Sequence, residues 1–231
     1  RPHRRRPNAR LKPRMDLGQP VDLYCERLGP GLTTEPLNAF SNLAFMVAAL
    51  WLLSRPREAA PAYARVLAWL VFAIGWCSLS FHVFANVGTE WLDVLSIALY
   101  IWLFVACWFR RFAGWPWWAA ALAVPGFLAF GKLVTLPFAP GALNGSVDYL
   151  PPLFALLLMA AWLLLRRQQG GGKLALAATV FSASLVLRTG DQAWCTALPI
   201  GTHWLWHCLN AVTLTLVTLS LDYPCSKEQT A

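Results

Sequence analysis

The feature that most constrains this chain is a series of seven nearly uncharged runs, each roughly 14 to 21 residues long. They extend from about Asn38 to Ser54, Val66 to Phe84, Glu90 to Phe109, Gly114 to Val134, Tyr149 to Leu165, Leu174 to Leu187 and Thr202 to Leu221. A hydrocarbon layer about 30 Å thick is crossed by roughly 20 apolar residues rising 1.5 Å each. The runs therefore read as membrane helices, the sixth being short for a span. Composition agrees: 58% of the residues are apolar and 13% charged, against roughly 45–50% and about 25% in a soluble domain. A disordered chain is excluded, and an ordinary soluble enzyme is disfavoured because too little polar surface exists to cover its core. The expected fold is all-α, a seven-transmembrane helix bundle in a multi-pass integral membrane protein.

The net charge of +8 is unevenly placed, with seven of the nineteen Lys and Arg lying before Met15. Such an arm suits anionic lipid headgroups or nucleic acid; the alternative takes Met15 as the true start and the arm as an upstream extension of the reading frame. No apolar run directly follows the arm, so it does not read as a secretory signal. Residues 1–21 are expected to be a basic, disordered extension, residues 22–222 the membrane domain and residues 223–231 a short cytoplasmic tail, with no nucleic-acid partner. If seven helices alternate, Arg55, Arg57, Arg65, Arg110, Arg111, Arg166, Arg167, Lys173 and Lys227 share one side, and only Arg27, Lys132 and Arg188 the other. The basic side faces the cytoplasm, which puts the N-terminus outside and the C-terminus inside, in a bacterial inner (plasma) membrane.

Ionisable groups within spans are costly and mark functional sites by default. Here they are His82 near the end of the second run, Asp93 near the start of the third, and His203 and His207 near the start of the seventh. Alternating topology brings all four to similar depth at the outer side. His203 and His207, four apart, stack on one helical face. Helical His pairs also serve merely as hydrogen-bonding groups, but a third imidazole at matching depth makes a zinc set of three neutral ligands with an open fourth position. Such an ion supplies a nucleophilic water at neutral pH. Asp93 can orient a histidine or take a proton, the alternative being a carboxylate at a helix N-terminus, a role that suits Glu90 better. Ser78, one turn before His82, is a hydroxyl donor for an oxyanion, or else bonds back to its own helix.

With those residues in view, the chain resembles the alkaline ceramidase family, part of a wider group of seven-span hydrolases that includes the adiponectin and progestin receptors. The matching pieces are YCER at Tyr24–Arg27, EPLNAFSNLAF at Glu35–Phe45, SLSFH ending at His82 with Asp93 eleven residues on, DQAWC at Asp191–Cys195 and HWLWH at His203–His207. They occur in the family's order over nearly the whole chain after Met15. The resemblance implies zinc on His82, His203 and His207, catalytic Asp93 and Ser78, and hydrolysis of the ceramide amide to a sphingoid base and a fatty acid.

It also implies a calcium ion before the first span, to which Asp22, Tyr24, Glu26 and Glu35 correspond. Leu23 and Leu28 stand where the family carries Asp and Asn, so two oxygen ligands are missing from a site that needs six to eight; otherwise Glu26 and Glu35 would cap a helix or pair with Arg27 or Arg188. Cys25 and Cys195 are the cysteines placed on the oxidising side and the family has Cys at both positions, so a disulfide between them is expected. The competing functions are a hydrolase of another lipid amide or ester, and a non-enzymatic receptor-like or haem-binding seven-helix protein. Lipid is the expected partner in each case; the sequence leaves the oligomeric state open.

Overall fold

A computed structural model of the chain describes residues 16–29, 33–56 and 61–222. The expectations about the arm before Met15 and about residues 223–231 lie outside the described residues.

The described residues form no strand and fold into helices: α1 Pro36–Ser41, α2 Leu43–Ser54, α3 Ala62–Phe84, α4 Val87–Phe112, α5 Trp117–Thr135, a 3-10 segment Ala142–Tyr149, α6 Leu150–Leu165, α7 Gly171–Trp194 and α8 His203–Ser220. α1 and α2 meet at Asn42 as one rod, so seven rods result. Their ends follow local chemistry. Proline opens α1, where its missing N–H costs nothing, and Asn86 with Thr89 forms a reciprocal cap at the start of α4.

Six of the rods are long and apolar enough to cross a membrane, and α8 is not among them. The seven expected helices are thus present, and six of them have the length and apolarity of a span. α8 is present at about 27 Å for 18 residues, but it spends its buried face on His203, His207, Asn210, Thr213, Thr218 and Ser220. α7 departs in the other direction, running 24 residues to Trp194 instead of stopping near Leu187. The charges that read as its end, Arg188 and Asp191, are absorbed by partners inside the protein.

Each rod packs on the next, and α8 closes the ring against α1 and α2 while also touching α3. Leu67, Val71, Ile74, Tyr100, Leu163 and Leu174 fill the interior, while Val47, Leu50, Trp69, Trp76, Leu122 and Leu158 are exposed on the outside of the ring. Apolar groups on that scale face lipid in an integral membrane protein. Lipid tails are as apolar as leucine, so close van der Waals contact has to hold the rods together. At Gly75 a Cβ would lie 2.9 Å from that of Phe45 and 3.1 Å from the Asn42 carbonyl; only glycine lets α3 approach α2 so closely.

Residues 17–21, which the sequence reading placed before the membrane domain, pair with the α3–α4 turn. Ala85 ends α3 in the left-handed region (φ 41), leaving backbone groups at the α3–α4 turn to be satisfied. Residues 17–21 supply the partners: Val21 donates to the Ala85 carbonyl at 2.8 Å, Val87 to that of Gln19 at 3.0 Å and Gly88 to that of Leu17 at 2.9 Å.

Candidate metal centre

The ring closure carries the site. His82 sits in the last turn of α3 and His203 and His207 in the first two turns of α8, and α3 touches α8. The three imidazoles are buried and offer ligand atoms within 4.8 Å of one another. Among the described residues no other group of His, Cys, Asp or Glu converges in this way.

Hydrogen bonds fix which nitrogens face inward. His82 Nδ1 donates to Glu35 Oε2 at 2.6 Å; an ionised carboxylate only accepts, so a neutral imidazole keeps a lone pair on Nε2. Ser41 spends its hydroxyl hydrogen on the Asn38 carbonyl at 2.9 Å, so at 2.7 Å its oxygen accepts from His207 Nδ1. That leaves His207 Nε2 bare as well. The two Nε2 atoms face each other at 3.2 Å, close enough to share one proton or one metal ion. Two nitrogens on one tetrahedral zinc at about 2.0–2.1 Å stand about 3.3–3.4 Å apart. The donor set therefore fits a zinc-like ion, with His203 as third ligand and its Nδ1 buried without a partner.

The surroundings are equally specific. Tyr24 stacks on His203 with ring centroids 3.7 Å apart, and burial pushes its phenol above the ordinary tyrosine value. Asp191 accepts from the backbone N–H of Cys25 (3.1 Å), Thr202 (2.6 Å) and His203 (3.0 Å), and so sets the start of α8. The Cys25–Cys195 disulfide forms as expected, with Cα atoms 5.3 Å apart. Gly201, at φ +63, threads between them; a Cβ there would collide with Asp191 and lie 2.9 Å from the Cys25 Cβ.

Ser78 and Asp93 line a narrow cavity of about 100 Å³ together with His203 and His207. Asp93 Oδ1 is buried without a partner. A proton acceptor and a hydroxyl donor thus stand beside the metal-competent cluster in a largely apolar chamber.

The calcium expectation meets a segment that does not fit it. Both oxygens of Glu26 accept from the first turn of α1, from Leu37 N at 2.7 Å and Asn38 N at 2.8 Å. Glu35 is ion-paired with Arg27 and also bonded to His82 and Asn38. Burial alone raises its carboxyl, but the bonds from His82, Asn38 and Arg27 outweigh that and hold it below the usual value. Asp22 and Leu28 are exposed, and Tyr24 faces the histidines. Arg27 Nη2 also donates to the His82 carbonyl at 3.2 Å, so the positive charge of this segment is a guanidinium and the Glu26 and Glu35 oxygens are already spent.

Sequence reading brought forward the three histidines, Ser78, Asp93 and the disulfide. It missed Ser41 as the outer partner of His207 and Asp191 as the organiser of α8, and it left Arg27 as only one of two candidate partners for Glu35. One signal was available: Glu35, Asn38, Ser41 and Asn42 recur at helical spacing in an otherwise apolar run, which marks an inward polar face. Compared with known proteins, the chain matches no family model and no curated protein.

Proposed function

We propose that this protein is an intramembrane zinc hydrolase of lipid amides, with ceramide the substrate suggested by the resemblance to the alkaline ceramidases. The single observation that carries the reading is the approach of the His82 and His207 Nε2 atoms to 3.2 Å while both Nδ1 atoms bond outward, completed by His203 and flanked by Asp93 and Ser78 in one cavity.

His82, His203 and His207 would hold the ion, which when bound supplies a Lewis acid for the acyl carbonyl and water acidic enough to lose a proton near pH 7. Asp93 is the base that takes this proton and returns it to the leaving amine as the C–N bond breaks. Ser78 donates a hydrogen bond to the carbonyl oxygen as it becomes anionic. Glu35 and Ser41 hold the rings of His82 and His207 in the ligating tautomer.

The acyl chain has a route from the bilayer. Val105, Phe127, Ala155 and Met159 line both the histidine cavity and a larger groove of about 930 Å³ between α4, α5 and α6. α5 buries only Ala120, so this wall of the ring is loosely covered. The charge distribution of the loops favours an N-out, C-in arrangement, with the site near the outer leaflet.

The test is incubation of purified protein with a panel of long-chain acyl amides, ceramide among them, with and without a zinc chelator. Fatty acid release that stops on chelation and returns with zinc is expected. Zinc-loaded protein that cleaves none of the panel overturns the reading.

A further inference from the structure

Between the histidines and the opening at Val105, Phe127, Ala155 and Met159, three polar side chains interrupt the apolar wall of the cavity: Tyr100, Asn210 and Thr213. Two of them give their hydrogens to α8, Tyr100 to the Leu214 carbonyl at 2.9 Å and Thr213 to that of Leu209 at 3.0 Å. Asn210 is different. It is 8% exposed and follows His207 by three residues on α8, about 4.5 Å further along the axis at 1.5 Å per residue. Both side chains line the same cavity.

Hydrogen bonds settle which way the Asn210 carboxamide points. Its Nδ2 donates to the Trp206 carbonyl and to Ser184 Oγ, both at 2.8 Å. The carbonyl can only accept, and the Ser184 hydroxyl gives its own hydrogen to that same carbonyl at 3.2 Å. Both amide hydrogens are therefore used, and nitrogen and oxygen cannot exchange places. Oδ1 is left over. No described residue donates to it, and unlike the sealed carboxamide oxygens of Asn38 and Asn42 it keeps a surface open to the cavity. Covering such an acceptor with a ligand that brings no donor is costly, because the oxygen gives up water and gains nothing in return.

We propose that Asn210 is a specificity-determining residue whose Oδ1 accepts a hydrogen bond from a hydroxyl on acyl C2, so that 2-hydroxyacyl amides are preferred over their unhydroxylated counterparts. The statement rests on the amidase reading, which puts the scissile carbonyl at the histidines and the acyl chain inward from it. The first chain carbon then lies at the level of the turn after His207, where Asn210 stands. The amide N–H is not the donor, because the leaving nitrogen faces Asp93 on α4. Ceramides with a plain acyl chain remain substrates, with a methylene against Oδ1 in place of a hydroxyl.

The experiment compares N-(2-hydroxypalmitoyl)sphingosine, its two C2 epimers assayed separately, with N-palmitoylsphingosine, for cleavage by the zinc-loaded chain and for binding to it. Wild type is expected to favour one epimer about tenfold in kcat/KM and in affinity, the scale of a hydrogen bond to a buried acceptor. Asn210→Leu brings the pair within about twofold of each other while keeping its zinc. Ser184→Ala, which removes the α7 partner of Asn210 but leaves Oδ1 and the bond to the Trp206 carbonyl, keeps the preference. Equal values for both epimers and the plain amide in wild type overturn the proposal, whatever the variants do. So does a preference that survives Asn210→Leu, which would put the hydroxyl on the metal, or one lost equally in Ser184→Ala, which would make Asn210 a strut between α7 and α8. Tighter binding of the hydroxylated compound without cleavage leaves the hydroxyl site standing and removes the amidase; cleavage without preference does the reverse.

Discussion

Two clusters of potential metal ligands lie a few ångströms apart at one end of this bundle, and they differ in what their atoms have left to give. In the histidine cluster, outer nitrogens are satisfied by Glu35 and Ser41 and the inner nitrogens keep their lone pairs. In the segment from Asp22 to Glu35, the described carboxylate oxygens of Glu26 and Glu35 are already occupied by backbone N–H groups, Arg27, Asn38 and His82. Both segments are rich in residue types that bind metals. The comparison teaches that a ligand is a donor atom with a lone pair to spare, so hydrogen bonds decide where an ion can sit as much as residue identity does.

The sharpest way to break the comparison is at Asp93, whose Oδ1 is buried and unspent. Asp93→Asn should lower amide hydrolysis by about 10²- to 10⁴-fold while metal content stays at the wild-type level; fatty acid release and metal analysis on one preparation check this. If activity survives, the spare oxygen has no chemical role. Glu35→Gln comes next. It leaves one acceptor oxygen where His82 and Arg27 each use one and removes the charge that pairs with Arg27, so zinc affinity should fall about 10- to 100-fold, read by competition with a chromogenic chelator. At Glu26 both oxygens cap α1, and Glu26→Ala should cost about 1 kcal/mol of stability, a small drop in melting temperature with zinc content unchanged. The smallest effect is expected from calcium. Adding it, or removing it with a calcium-selective chelator, should change neither stability nor hydrolysis by as much as twofold, because the oxygens it needs are taken.

Much of this was legible in the sequence, for identifiable reasons. Helix existence followed from uncharged length, and the meeting of His82 with His203 and His207 followed from alternation, since the end of one span and the start of another must share a membrane face. The pairing of Cys25 with Cys195 followed from topology and resemblance together. The misreadings came where a charge is neutralised out of sequence register. α7 was cut short at Arg188 because nothing nearby in the chain reveals the Asn144 carbonyl and Ser146 hydroxyl that receive it. α8 is long enough, but its interior face is more polar than its uncharged length suggests. The calcium expectation counted Glu26 and Glu35 as ligands, and only three-dimensional placement reveals that α1 and Arg27 reach those oxygens first. Residues 16–21 were assigned to the arm because nothing in their sequence hints that the left-handed turn at Ala85 uses their backbone.

The central claim is that two facing, unprotonated imidazole nitrogens and a third histidine hold one ion. Elemental analysis of the protein purified without added chelator, beside His203→Ala and His207→Ala, tests it most directly. The account predicts about one zinc per chain in the wild type and almost none in either variant. A wild-type protein that takes up no transition metal, or variants that keep their zinc, would contradict it.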